Sequence, residues 1–100
     1  DPECRQAISR AYYATHHAGR AVAYEMHRRD VTTHEGVIAE AGQIVGPGAS
    51  AVVRELHRLR NQVEYELYLP WLDLRAEAEA ALTRAGEFLS TCRVFVSKRR

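Results

Sequence analysis

Cysteine is scarce in this chain. Cys4 and Cys92 stand at opposite ends of the sequence, too few and too far apart for a disulfide framework or a cysteine zinc motif. Two free thiols are expected, although an antiparallel bundle would bring the start of a first helix close to the end of a last one. Lysine is scarcer still: one lysine stands beside thirteen arginines, and the cations nearly cancel the carboxylates to leave a formal charge of +1. That balance does not by itself announce nucleic acid. Arginine offers a planar, bidentate fork for phosphate or carboxylate, so its placement matters more than its total; the skew is equally what a GC-rich genome produces. No run of eighteen apolar residues occurs, which excludes a membrane-spanning helix. No signal-peptide pattern is read either, so the expected compartment is cytoplasmic.

Other chemistries lack their spacing. His16, His17, His27, His34 and His57 form no His-x-x-x-His or Glu-x-x-His pair, so no metal is expected. Gly46-Pro47-Gly48 lacks the later Gly-Lys-Ser/Thr of a phosphate loop and reads as a helix connection. Ser9 has no orienting acid to join it to His16 or His17, which argues against a serine nucleophile. No cofactor is expected.

What the chain does have is helical rhythm. With 46% hydrophobic and 27% charged residues, residues 1–100 suit one globular domain. Pro2 and Glu3 suit a first turn, and Ile8, Ala11, Tyr12, Thr15, Ala18, Gly19, Val22 and Met26 carry an apolar face through a helix over about 3–28. Gly19 costs roughly 1 kcal/mol of helix propensity relative to Ala, which close approach of another helix would explain. Thr32 or Thr33 can cap a short helix over about 34–45, with Val37, Ile38, Ala41, Ile44 and Val45 inward, ended by Gly46-Pro47-Gly48. Ser50 can cap a third, over about 50–66, anchored by Val52, Leu56, Leu59 and Val63 at i, i+4, i+7 and i+11.

Residues 65–72 read as a packed loop in which Tyr68 and Trp71 cover one end of the core, because Pro70 disfavours helix at Leu69. Asp73 caps a last helix, whose Leu74, Ala78, Ala81, Ala85, Phe88, Cys92 and Phe95 alternate steps of four and three. The tail Lys98-Arg99-Arg100 is expected to fray. The expected fold is all-α: an antiparallel bundle of four main helices, with space for a short fifth helical turn, its first and last helices packed along much of their lengths.

Two groups carry candidate chemistry. Arg10, Tyr13, His17, Arg20 and Tyr24 form a basic and aromatic stripe on the first helix. Such a stripe either covers a bundle's flank with wet tips, or offers phosphates an arginine and bases a stacking surface. The second group lies on the third helix, where His57, Arg58, Arg60, Asn61, Glu64 and Tyr65 project around the anchored face. Arg60 can pair with Glu64 one turn on as an exposed ion pair worth only about 0.3–0.5 kcal/mol. Asn61 has four hydrogen-bonding sites to satisfy, which an interface or ligand can do.

These two groups also carry a family resemblance. Residues 9–22, SRAYYATHHAGRAV, and residues 55–68, ELHRLRNQVEYELY, resemble the HEPN (higher eukaryotes and prokaryotes nucleotide-binding) domain family, over most of the chain. The matching elements are Ser9, Arg10, Tyr12, Tyr13 and His17, with Leu59-Arg60-Asn61 and Tyr65 downstream. The resemblance implies a helical bundle, commonly a homodimer, and in nuclease members a metal-independent RNA cut by an Arg and a His with four to six residues between them. Arg60 and Asn61 match the Arg and the polar residue after it. The His place holds Tyr65, with Glu66 and Leu67 at the longer spacings, and no histidine follows.

A phenol of pKa near 10 does not move protons near pH 7 as an imidazole does. The sequence therefore resembles the branch with Tyr at this place, often encoded beside a nucleotidyltransferase partner in toxin–antitoxin-like pairs. In related pairs the partner adenylylates a tyrosine near the motif, which makes Tyr65 and Tyr68 the candidates for modification. The leading expectation is a dimerising module with RNA binding or nucleotide binding, a reading that does not require catalysis. The alternative is an atypical ribonuclease in which Arg60 holds the phosphate and His57, three residues earlier on the same surface, moves the proton.

Overall fold

The computed structural model describes residues 2–66 and 69–99. Four helices make up most of them: α1 (Pro2–His27), α2 (His34–Ile44), α3 (Pro47–Tyr65) and α4 (Leu74–Arg99). No strand occurs among the described residues, and none of the helices is long and apolar enough to cross a membrane. The expected all-α four-helix bundle is what forms.

Local chemistry sets most helix ends. Thr33 is extended and its side chain accepts from the Gly36 amide at 3.0 Å, a side-chain cap for α2. Asp73 does the same for α4, accepting from the Ala76 amide at 3.1 Å. The start of α3 differs from expectation. Gly46, at φ 138°, is its cap and Pro47 its first residue, so Gly-Pro-Gly opens α3 as well as closing α2. Ser50 is already inside the helix and donates back to the Pro47 carbonyl at 2.9 Å.

One further expectation is corrected. Leu69 is buried and its carbonyl accepts from the Leu72 amide at 3.1 Å, so Leu69 closes that end of the core while Trp71 stands 66% exposed. The bend is a hydrogen-bonded turn, with no fifth helical turn among the described residues; Tyr68 lies outside them. The far end of α4 stays helical through Arg99.

The helices do not all alternate in direction. Arg5 reaches Val63 and Tyr12 packs on His57, so α3 runs against α1. Ile8 and Ala11 share a core with Ala78, Ala81 and Ala85, whereas Val22 shares a second core with Phe88 and Cys92, so α4 runs parallel to α1 along their extensive contact. Cys4 packs at the edge of the first core and Cys92 within the second. The parallel α1–α4 arrangement therefore separates the thiols that an antiparallel one would bring together. Burial pushes the Cys92 thiol up to about 11.

The short helix α2 also runs parallel to α1. His34 packs beside Tyr12 and His16, Val37 beside Gly19, and Glu40 meets His27. Seven residues take the chain from His27 back to His34, a reach of about 23–25 Å. The return requires roughly 16–22 Å along α1, at 1.5 Å per residue, and about 9 Å sideways, so the linker has little slack. It is pinned on the way: Arg20 donates to Asp30 at 2.9 Å, and Arg29 and His27 both meet the buried carboxylate of Glu40, at 3.1 and 2.7 Å.

Gly19 permits this geometry. A Cβ there would stand 2.6 Å from Cγ1 of Val37, a fully buried and stiff side chain. Gly19→Ala is expected to lower stability by up to about 2 kcal/mol: overpacking of roughly 1–3 kcal/mol is offset in part by the gain of about 1 kcal/mol in helix propensity. Chemical denaturation should also show that adding Val37→Ala in the same chain costs less than the two changes summed; strict additivity would refute the clash.

Candidate functional site

Helix α3 supplies the rigid floor of the site. Val53, Leu56, Leu59 and Val63 are buried, with Val53 in the place expected of Val52, which is half-buried between the two cores. This face holds Arg60 and Asn61 against α1. Arg5, unmarked by any motif, finishes the helix: one guanidinium nitrogen donates to the carbonyls of Val63 at 2.5 Å and Glu66 at 2.8 Å. A cation here answers the unpaired carbonyls of a helix C-terminus.

Arg60 is not the exposed residue expected from its spacing. Its side chain is 12% accessible, and it donates to the Tyr13 hydroxyl at 2.5 Å and to Asn61 Oδ1 at 3.1 Å. Its buried Nε meets the Glu64 carboxylate as an ion pair, without the alignment of a hydrogen bond. Three rings surround the guanidinium, Tyr13 at 5.1 Å, Tyr12 at 5.7 Å and Tyr65 at 5.9 Å from its carbon to their centroids. Such distances lie within cation–π range. Tyr65 itself is 74% exposed at the last turn of α3.

Behind Arg60 lies a cluster that sequence spacing did not reveal. Tyr12 is fully buried, and its hydroxyl meets Nδ1 of His34 and, at 3.4 Å, Nδ1 of His16. His34 stacks on His57 with centroids 4.2 Å apart, and His16 is 5.3 Å from His34. Asn61 links the groups, with Nδ2 3.5 Å from His57 Nε2 and Oδ1 on Arg60. The three histidines come from three helices, so no periodicity along the chain could have paired them. Among the described residues no group of three His, Cys, Asp or Glu side chains is arranged to hold a metal ion.

The cluster's titrations follow from packing. Burial, and then the cationic forms of His34, His17, Arg20 and His57, hold the His16 imidazole below its usual pKa. His57 is lowered by burial first, then by His34 and Arg60, while Glu35 opposes them. Burial raises the Tyr12 phenol to about 12, with Arg60 pulling the other way. At neutral pH His16, His57 and Tyr12 are thus held in their uncharged forms beside the Arg60 cation.

The remaining site residues divide. Tyr13 and His17 stack at 6.4 Å and face outward, and Arg10 lines an open depression of about 360 Å³ with Arg5, Gln6, Ser9 and Glu64. Lower on α1, Arg20 is committed to Asp30, and Tyr24 carries the Arg28 guanidinium 5.6 Å above its ring. That half of the stripe helps hold the α1–α2 linker. Arg58 turns to Glu55 and Gln62, with Glu77 of α4 nearby, and does not join Arg60. Its hydrogen bond to Glu55 lowers the pKa of that carboxyl. Tyr68 lies outside the described residues.

Fold and site together define an all-α four-helix bundle with an arginine held among tyrosines and histidines. Comparison with protein-family models, with curated proteins and with solved structures returns no match.

Proposed function

We propose that the chain is a HEPN-like, cytoplasmic and homodimeric binding module, one half of a toxin–antitoxin-like pair with a nucleotidyltransferase, which binds RNA or nucleotide without cleaving it. The observation that carries this reading is the commitment of Arg60 to Tyr13, Asn61 and Glu64, with exposed Tyr65 rather than an imidazole beside it. An arginine so occupied orients neighbouring phenols more readily than it recruits a phosphate. Tyr65 offers a modifying enzyme an accessible hydroxyl close to a cation. Arg10, Tyr13 and His17 leave a basic and aromatic surface at the same end of α1 for a phosphate and a base.

A second reading, ribonuclease activity by Arg60 and His57, draws support from one feature: His57 is held neutral at pH 7 and is linked to Arg60 through Asn61. A neutral imidazole is a competent general base.

One set of measurements separates the readings. The binding module is expected to be a dimer by light scattering at high micromolar concentration, to retain RNA without shortening it, and to lose that binding by about tenfold in Arg10→Ala/Tyr13→Ala. A monomer that neither retains RNA nor binds a nucleotidyltransferase encoded beside it would refute it. RNA cleavage that disappears in both Arg60→Ala and His57→Ala would establish the ribonuclease in its place.

A further inference from the structure

We propose that His16, His34 and His57 form an acid-operated latch that holds the first turn of α2 against α1 and α3 at neutral pH and releases it on acidification. The proposal is independent of the binding or cleaving role of Arg60; it concerns the first turn of α2, whose His34 stacks on His57 next to Asn61.

The closed state needs neutral rings. Tyr12 can donate its hydroxyl proton to one imidazole Nδ1 and accept from the other, which suits one neutral tautomer of each kind at His16 and His34. A 4.2 Å stack of His34 on His57 likewise tolerates one charge poorly and two hardly at all.

The surroundings reinforce this from each side. On α1, His17 and Arg20 bear on His16; on α3, Arg60 bears on His57; on α2, Glu35 is the one carboxylate acting in favour of charge at His57. Glu35 also acts on Tyr12. No charge from α4 is among those acting on His16 or His57.

Protonation therefore favours a conformation in which the rings separate into water. The sign follows: His16 and His57 have lowered affinity for protons in the closed state, so opening takes up protons, and closure weakens as pH falls below the ordinary histidine value of about 6.5. Each such histidine adds up to about a tenfold change in the opening equilibrium per pH unit. The other end of α2 stays fastened while the first turn swings out, because Arg29 and His27 both close on the buried Glu40, at 3.1 and 2.7 Å. Val37 and Ala41, buried in the second core, mark the pivot.

The test is amide hydrogen exchange on the full chain at about pH 7.5 and about pH 5.5, corrected for the intrinsic pH dependence of exchange. Opening at the amides of residues 36–39, which hydrogen-bond back to the cap and first turn, should rise at least tenfold at the lower pH, while α4 changes less than twofold. His34→Gln, which keeps a partner for Tyr12 but gains no proton, should reduce the response at least threefold, as should His57→Gln if the first variant does not fold. Equal protection of α2 at both pH values, loss of protection from all four helices together, or an undiminished response in the glutamine variant would each overturn the latch.

Discussion

Tyr12→Ala is expected to destabilise the bundle by about 3–5 kcal/mol, and Tyr12→Phe by about 1–3 kcal/mol, read from urea denaturation. Tyr12 is the largest fully buried side chain, with its ring packed between α1, α2 and α3. Truncation to Ala removes that apolar surface and leaves a cavity that His16, His34 and His57 cannot fill with polar rings. Phe keeps the volume, so its smaller loss isolates the hydroxyl. Without it, Nδ1 of His16, which is 6% exposed, has no phenol to meet. A Phe variant as stable as the parent would show that water replaces the hydroxyl at no cost.

The same variant changes the alkaline limb of stability. The phenol's folded-state pKa of about 12 exceeds its unfolded value of 10.0, so the unfolded chain releases its proton first. Stability present below pH 10 is then lost as pH rises towards 12, at up to about 1.4 kcal/mol per pH unit. Cys92, raised from 9.0 to about 11, contributes in the same direction but begins earlier. Tyr12→Phe should flatten the decline above pH 10 and leave the Cys92 part between 9 and 10 unchanged. An identical slope in both proteins would refute the burial of this phenol.

Leu59→Ala is expected to lower stability by about 2–5 kcal/mol, with an unchanged dependence on denaturant concentration. Leu59 is 1% exposed, immediately precedes Arg60 and fills the first core with Leu56, Val63 and the α4 alanines. Alanine side chains cannot extend to fill the space it vacates. Loss of the Arg60–Glu64 ion pair alone should cost far less, because Glu64 is 34% exposed and returns to water. A Glu64→Gln change that destabilised as much as Leu59→Ala would place the strength of this helix in its charges rather than its apolar face.

Local features were legible because their causes are local. Thr33 and Asp73 cap the helices they were expected to cap, and the inward face of α4 follows the predicted positions from Ala78 to Cys92. Gly19 announced a close neighbour because a glycine inside a helix has a propensity cost to offset, and Val37 is that neighbour. A Gly-Pro-Gly sequence satisfies a helix end and a helix start equally, so Pro47 opens α3 where Ser50 is the expected cap. The large apolar ring of Trp71 does not tell which residue of the turn is aimed inward, and Leu69, on the other side of Pro70, takes that place.

The site was half legible. Arg60, Asn61 and Tyr65 stand close together because helical spacing places them so, and the contact of Arg60 with Tyr13 joins the two groups that carried the family resemblance. The pairing of His16, His34 and His57 was invisible, since each lies on a different helix and nothing in their spacing encodes the distance between helices. The burial of Glu40 is equally illegible: a carboxylate on a helix reads as solvated, and only the packed structure closes His27 and Arg29 over it.

By itself, then, the sequence determined four helices, most of their caps, their apolar faces and the proximity of Arg60 to Tyr65, all set by interactions between residues a few positions apart. Tertiary structure alone decided that α2 and α4 run parallel to α1, that Cys4 and Cys92 lie in different cores, and that three histidines meet at Tyr12. Those outcomes depend on a linker stretched between His27 and His34 and on side chains packing across helices, where neighbours in space are strangers in sequence.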